Sequence, residues 1–184
     1  MAMQTLHDLF VEELRDLYNA ENQLLKALPK MAKKASTPEL KAAFEEHVDV
    51  TRGQVNRLEK IFSDLDESPK GKKCKGMTGL VDEEMETVGD AEMGPVKDAA
   101  LITAAQKIGH YEIAGYGCVR AYARRLGYGD AEALLRETLT EEGEADKRLT
   151  ELAEATINDG AQNAGNGMGA EGKGRSAKRK MNAM

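Results

Sequence analysis

Tryptophan is absent from this chain and aromatic side chains make up only 4% of it. Any core must therefore be aliphatic, built from Leu, Ile, Val, Ala and Met. Only two cysteines occur, Cys74 and Cys118, so no disulfide framework is readable and a reducing compartment is the default. Four prolines in 184 residues leave room for long helices. Runs of Val and Ile in period two are missing, which argues against a sandwich or barrel. No apolar stretch approaches 18 residues, so no transmembrane helix is expected. The N-terminus has no basic region followed by an apolar one, so no secretory signal is expected either. Together these absences predict a cytoplasmic protein without membrane insertion.

Charge is plentiful but uneven. Charged residues make up 32% of the chain and the net charge is −6. Residues 158–184 carry five basic side chains against Asp159 and Glu171, leaving 21 basic and 30 acidic groups, a body at −9. That body is a poor footprint for nucleic acid and suits cations. Contact with nucleic acid is expected only through the basic tail.

The apolar residues fall at helical spacing. Thr5 with Asp8 reads as the start of a helix over 5–34, with Leu6, Phe10, Leu14, Leu17, Leu24, Leu28 and Met31 on one face. Pro29 should kink it or loosen its last turns. Ser36 with Glu39 reads as a capping box opening a second helix over 37–65. A polar stretch follows, then a short amphipathic helix near 77–88. A third long helix spans 96–126, ended by Gly127 and Gly129, and Asp130 should cap a fourth over 130–157. Residues 159–184, rich in Gly, Ala, Asn, Lys and Arg, read as a disordered tail beyond a domain over 1–158. Two antiparallel hairpins joined by one long crossover define an all-α, ferritin-like four-helix bundle.

Polar residues interrupt each apolar face. Glu21 falls between Leu17 and Leu24, with Glu13 near the same face two turns earlier. His47, Thr51 and Gln54 fall between Phe44 and Leu58, Glu112 between Ile108 and Gly115, and Glu142 between Thr138 and Ala145, with Asp146 on the flank. The first hairpin turns near residue 35, which sets Glu21 opposite residue 50. The second turns near 128, which sets Glu112 opposite residue 144. Buried carboxylates are costly unless paired or coordinated. Four inward helices with carboxylates at matched heights follow the logic of a di-iron or di-manganese centre. The metal-ligand candidates are Glu21, His47, Gln54, Glu112, Glu142 and Asp146. The Glu-x-x-His pairs of such centres are missing, however. A metal-free polar network, with Gln54, Thr51, Tyr111 or Tyr18 hydrogen-bonding Glu21 and Glu112, is the alternative.

The other reactive side chains divide simply. Cys74 sits among lysines that would favour its thiolate, yet reads as an inert loop thiol. Cys118 reads as a small core residue, and His110 as a surface or dimer-interface residue.

The strings Ala20 to Leu24, His47 with Thr51 and Gln54, Lys73-Cys74 with Met77, and above all Asp98-Ala-Ala-Leu-Ile with His110-Tyr-Glu-Ile-Ala and Tyr116-Gly, resemble those of the YciF-like stress proteins. Helix four adds Glu137-Thr-Leu, Glu141-Glu142 and Asp146. The resemblance spans residues 4–158. It implies a ferritin-like bundle, a homodimer, a link to bacterial stress responses and a suspected two-metal centre of Fe or Mn, with oxygen- or peroxide-linked activity as the corresponding enzyme reading. A metal-free structural or interaction protein, and a DNA-associated protein acting through its tail, are the other function classes.

Overall fold

The computed structural model describes residues 3–164. Five helices follow one another, and no strand occurs among the described residues: α1 Leu6–Lys34, α2 Pro38–Asp64, α3 Lys75–Asp90, α4 Pro95–Leu126 and α5 Gly129–Leu152. Helices α1 and α2 pair along their length, as do α4 and α5, and α3 lies across α4 and α1 within the crossover. This is the expected pair of hairpins.

Local chemistry fixes the boundaries. Thr5 Oγ1 accepts from the Asp8 backbone N–H at 3.0 Å, and Asp8 Oδ2 accepts from the Thr5 N–H at 2.9 Å, closing the capping box on α1. The helix runs on through Pro29 to Lys34. The capping box expected at Ser36 and Glu39 does not form. The cap position is Thr37, whose side chain makes no capping bond. Instead the fully buried Asp98 of α4 accepts from the Ser36 N–H at 2.6 Å and the Thr37 N–H at 2.9 Å. A carboxylate from another helix thus satisfies the donors that a local side chain would have met. Ser36 Oγ then accepts from the Gly94 N–H at 3.0 Å. Gly94 adopts φ 127°, a conformation that side chains disfavour, just before Pro95 opens α4. Asp130 is likewise not the cap of α5; it lies in the first turn, and Tyr128 holds the cap position. The Tyr128 ring packs on Phe10 and His7, and its hydroxyl lies 3.0 Å from His7 Nδ1, so tertiary packing sets that turn.

Two differences extend the expected elements. The crossover helix is 16 residues long and begins directly after Cys74. At the other end, α5 passes through a π-helical turn at Ala153–Ile157 and stays helical over 158–164, beyond the expected start of the tail. Ile157 is buried there, and Gly160 lies close against Pro95. The rest of the predicted tail, 165–184, lies outside the described residues.

The core is divided into two apolar clusters. One holds Leu24, Leu28, Met31, Leu40, Phe44, Leu101, Ile102, Ile108 and Leu149. The other holds Phe10, Leu14, Leu17, Leu58, Ile61, Phe62, Tyr116, Val119 and Leu135. Along all four long helices, buried polar side chains fall between them: Glu21, Thr51, Gln54, Glu112 and Glu142.

Candidate carboxylate centre

Each helix delivers its polar side chain to this layer because one helical turn replaces an apolar residue by a polar one on the inward face. Glu21, Thr51 and Gln54 have no exposure, and Glu112 and Glu142 have 1% and 2%. The Tyr116 hydroxyl donates to Glu21 Oε1 at 2.5 Å. The Glu21 and Glu112 carboxyls lie close enough to influence each other's titration. Gln54 Nε2 donates to Glu142 Oε1 at 2.6 Å, and His47 Nε2 lies 3.6 Å from the same oxygen.

These contacts leave acceptors unmet. Glu21 Oε2, Glu112 Oε1, Gln54 Oε1 and Thr51 Oγ1 are buried without a hydrogen-bond partner among the described residues. Arg57 is directed to the neighbouring Glu141 and, at 3.3 Å, to Glu137, so its charge is spent at the margin. Burial raises the Glu21 carboxyl to about 8; Tyr116 opposes the rise and the charge of Glu142 adds to it. Burial also carries Glu112 well above the ordinary carboxyl range, followed by repulsion from Glu142 and Glu21. Glu142 rises by burial as well, but His47 and Gln54 pull it back. Three carboxyls this close cannot all ionise without a cation or protons between them.

The expected ligands do not all gather. Glu21, Gln54, Glu112 and Glu142 meet in the layer, and His47 borders it with its side chain 18% exposed. Asp146 lies at the margin and pairs with His110, with Nε2 3.1 Å from Oδ1. Glu13 is half-exposed near Lys72. The tyrosine that serves the centre is Tyr116, one helical turn after Glu112 on the same face. Tyr18 instead donates to Glu59, and Tyr111 to Asp16. That i, i+4 step from Glu112 to Tyr116 was the signal available in the sequence.

The metal question turns on the donor set. Glutamate oxygens and an amide carbonyl suit hard divalent ions, and the unmet oxygens of Glu21 and Glu112 fit that chemistry. The imidazole pairs do not exist: Thr51-x-x-Gln54 and Glu142-x-x-Ala145 stand where Glu-x-x-His pairs would. Among the described residues, no three His, Cys, Asp or Glu side chains are already gathered as a metal-holding group.

The two cysteines depart from expectation. Cys118 is exposed and Cys74 is buried. Cys74 Sγ caps α3 by accepting from the Met77 N–H at 3.3 Å and lies 2.9 Å from both Asp16 Oδ2 and the Tyr111 hydroxyl. Burial and then Asp16 push its thiol upward, away from thiolate, and Lys72 pairs with Asp16.

The comparisons with known proteins agree with this architecture. The family model described as Domain of unknown function (DUF892) matches residues 5–162. Protein YciF of Escherichia coli (strain K12) is 44% identical over 164 residues, covering 89% of this chain and 99% of that protein. The crystal structure of the E. coli stress protein YciF superposes with a TM-score of 0.81 at 43% identity, covering 85% of this chain and 99% of the other. YcfI from Rhodopseudomonas palustris gives 0.78 at 40% identity, covering 80% and 94%. A ferritin-like, diiron-carboxylate protein from Bacillus anthracis gives 0.64 at 17% identity, covering 82% and 99%, a likeness of fold. With the family model matched across both hairpins and nearly the whole of YciF aligned, the chain belongs to the DUF892 family and is a YciF-like stress-protein homologue.

Proposed function

We propose that this chain is a ferritin-like stress protein whose central carboxylates take up Fe or Mn. The observation that carries the reading is the pair of fully buried carboxylate oxygens, Glu21 Oε2 and Glu112 Oε1, without a hydrogen-bond partner among the described residues, in a layer with Glu142. Glu21, Glu112 and Glu142 would hold the ions, with Gln54 and His47 at the edge. Bound Fe or Mn would supply one-electron chemistry toward oxygen or peroxide. The chain's own contribution is to flank the layer with an apolar cluster on each side and to hold Glu21 by the Tyr116 hydroxyl.

The test is metal analysis of protein purified from its own host, with thermal melts of chelator-treated protein titrated with Fe(II) or Mn(II). A ligand that binds only the folded state raises the melting temperature by mass action. A wild type unmoved by either ion refutes the metal reading. The second reading, a metal-free polar core, is favoured by the bonds that Tyr116 and Gln54 already make to Glu21 and Glu142. The resemblance also supports a cytoplasmic homodimer, which sedimentation at micromolar concentration tests.

A further inference from the structure

A chamber of about 280 Å³ opens between α2 and α5 and ends on the carboxylate layer. Such a volume is near the lower end of small-molecule sites, roughly 300–1,000 Å³. Its walls are mainly apolar, with Leu24, Leu28, Phe44, Ile108 and Leu149 drawn from all four long helices. Bundle interiors normally pack without such voids. Here small residues keep it open: Ala43, Ala105, Gly109 and Ala145 stand where larger side chains would fill it. Gly109 has a particular part, because a Cβ there would lie 3.7 Å from Glu142 Oε2.

The charge of the lining is one-sided. Six lining side chains are carboxylic; the basic ones are Arg148, paired with Glu46 at the rim, and His47, 3.6 Å from Glu142 Oε1. Glu112, 1% exposed, lines the chamber and carries an oxygen with no donor. An anionic headgroup would meet repulsion from the rim carboxylates and an unpartnered acceptor at the floor. A wholly apolar ligand would leave the floor acceptor unmet, which is costly. A ligand with a donor-rich, cationic end and an apolar body satisfies both.

We infer that the chamber binds a small alkyl- or arylamine, its amine end at Glu112 and Glu142 and its apolar body against Leu24, Leu28, Phe44 and Ile108. The inference is independent of the metal reading and is tested in metal-free protein. Calorimetry and thermal melts in chelator compare n-hexylamine, 1-hexanol and hexanoate, which share the apolar body. Hexylamine should bind about tenfold or more tightly than the other two, the size of one charge-assisted hydrogen bond. Glu112→Gln keeps the volume but replaces one carboxyl oxygen with an amide NH2 donor; it should weaken hexylamine about tenfold and leave hexanol unchanged. Ala145→Leu and Ala105→Leu each fill the chamber from a different helix and should abolish binding of both hexylamine and hexanol, with helix content checked by circular dichroism. Equal binding of the three probes overturns the proposal. So does the absence of hexylamine binding, or binding unchanged in a folded, filled variant.

Discussion

Raising the pH of the metal-free protein through neutrality should destabilise it, and the layer of Glu21, Glu112 and Glu142 sets the size of the effect. A carboxyl whose folded value is raised contributes its stabilisation fully below the unfolded value and loses it as pH climbs to the folded one. For Glu21 that window runs from 4.5 to about 8. Between those limits the folded layer holds a proton that the unfolded chain has released, so stability falls with slope about 1.4 kcal/mol per pH unit per proton. Across the whole window Glu21 alone accounts for about 5 kcal/mol, a large share of the roughly 5–15 kcal/mol by which a domain is stable. Glu112 is raised as well, by burial first and then by the neighbouring carboxylates, in the same direction. Glu112→Gln removes one of these protons and one repelling charge, so its stability should depend on pH less steeply by about 1.4 kcal/mol per pH unit. Urea unfolding of wild type and variant from pH 5.5 to 8 measures this, and their difference cancels the histidines common to both. A wild-type curve that is flat or rises over that range would falsify the buried-carboxylate account.

Five further substitutions follow from single contacts. Tyr116→Phe removes the donor to Glu21 Oε1 and should cost about 1–3 kcal/mol by urea unfolding. Asp98→Ala frees the Ser36 and Thr37 N–H groups and should cost about 2–4 kcal/mol, with faster amide exchange at the α1–α2 turn. Gly115→Ala sets a Cβ 2.8 Å from Leu17 Cδ2 in a packed core and should lower the melting temperature, whereas Gly109→Ala meets nothing closer than 3.7 Å and should gain up to about 1 kcal/mol of helix propensity. Asp16→Asn keeps the size but weakens the acceptor for Cys74 and Tyr111, so amide exchange in α3 should quicken while α2 is unchanged.

The long helices and the polar layer were legible because both depend on spacing alone. A glutamate one turn from Leu17 and Leu24 points inward wherever the partner helix lies. Matched heights within each hairpin followed from the positions of the turns. What spacing could not supply was anything set by a distant partner. Ser36 and Glu39 satisfy the local rule for a cap, yet the donors go to Asp98, some sixty residues away. Cys74 stands among lysines in the sequence, but in three dimensions its neighbours are Asp16 and Tyr111, and the thiol rises rather than falls. Cys118 lies beside an apolar face by periodicity and still reaches the surface. The chamber was invisible because it is made by what Ala43, Ala105, Gly109 and Ala145 leave out, from three helices whose relative depth no single stripe encodes.

The Asp98 bridge has a consequence for a chain cut in two. It fastens the turn of the first hairpin to the first turn of the second. Gln54 with Glu142, and Asp16 with Cys74, fasten the same two halves elsewhere. The exposed strip near Lys70 between α2 and α3 carries little of this. A protease nick there divides the polypeptide but not the particle: the two fragments should co-elute as one species under native conditions and part only in denaturant. Separately expressed hairpins, mixed, should find each other by the same fastenings.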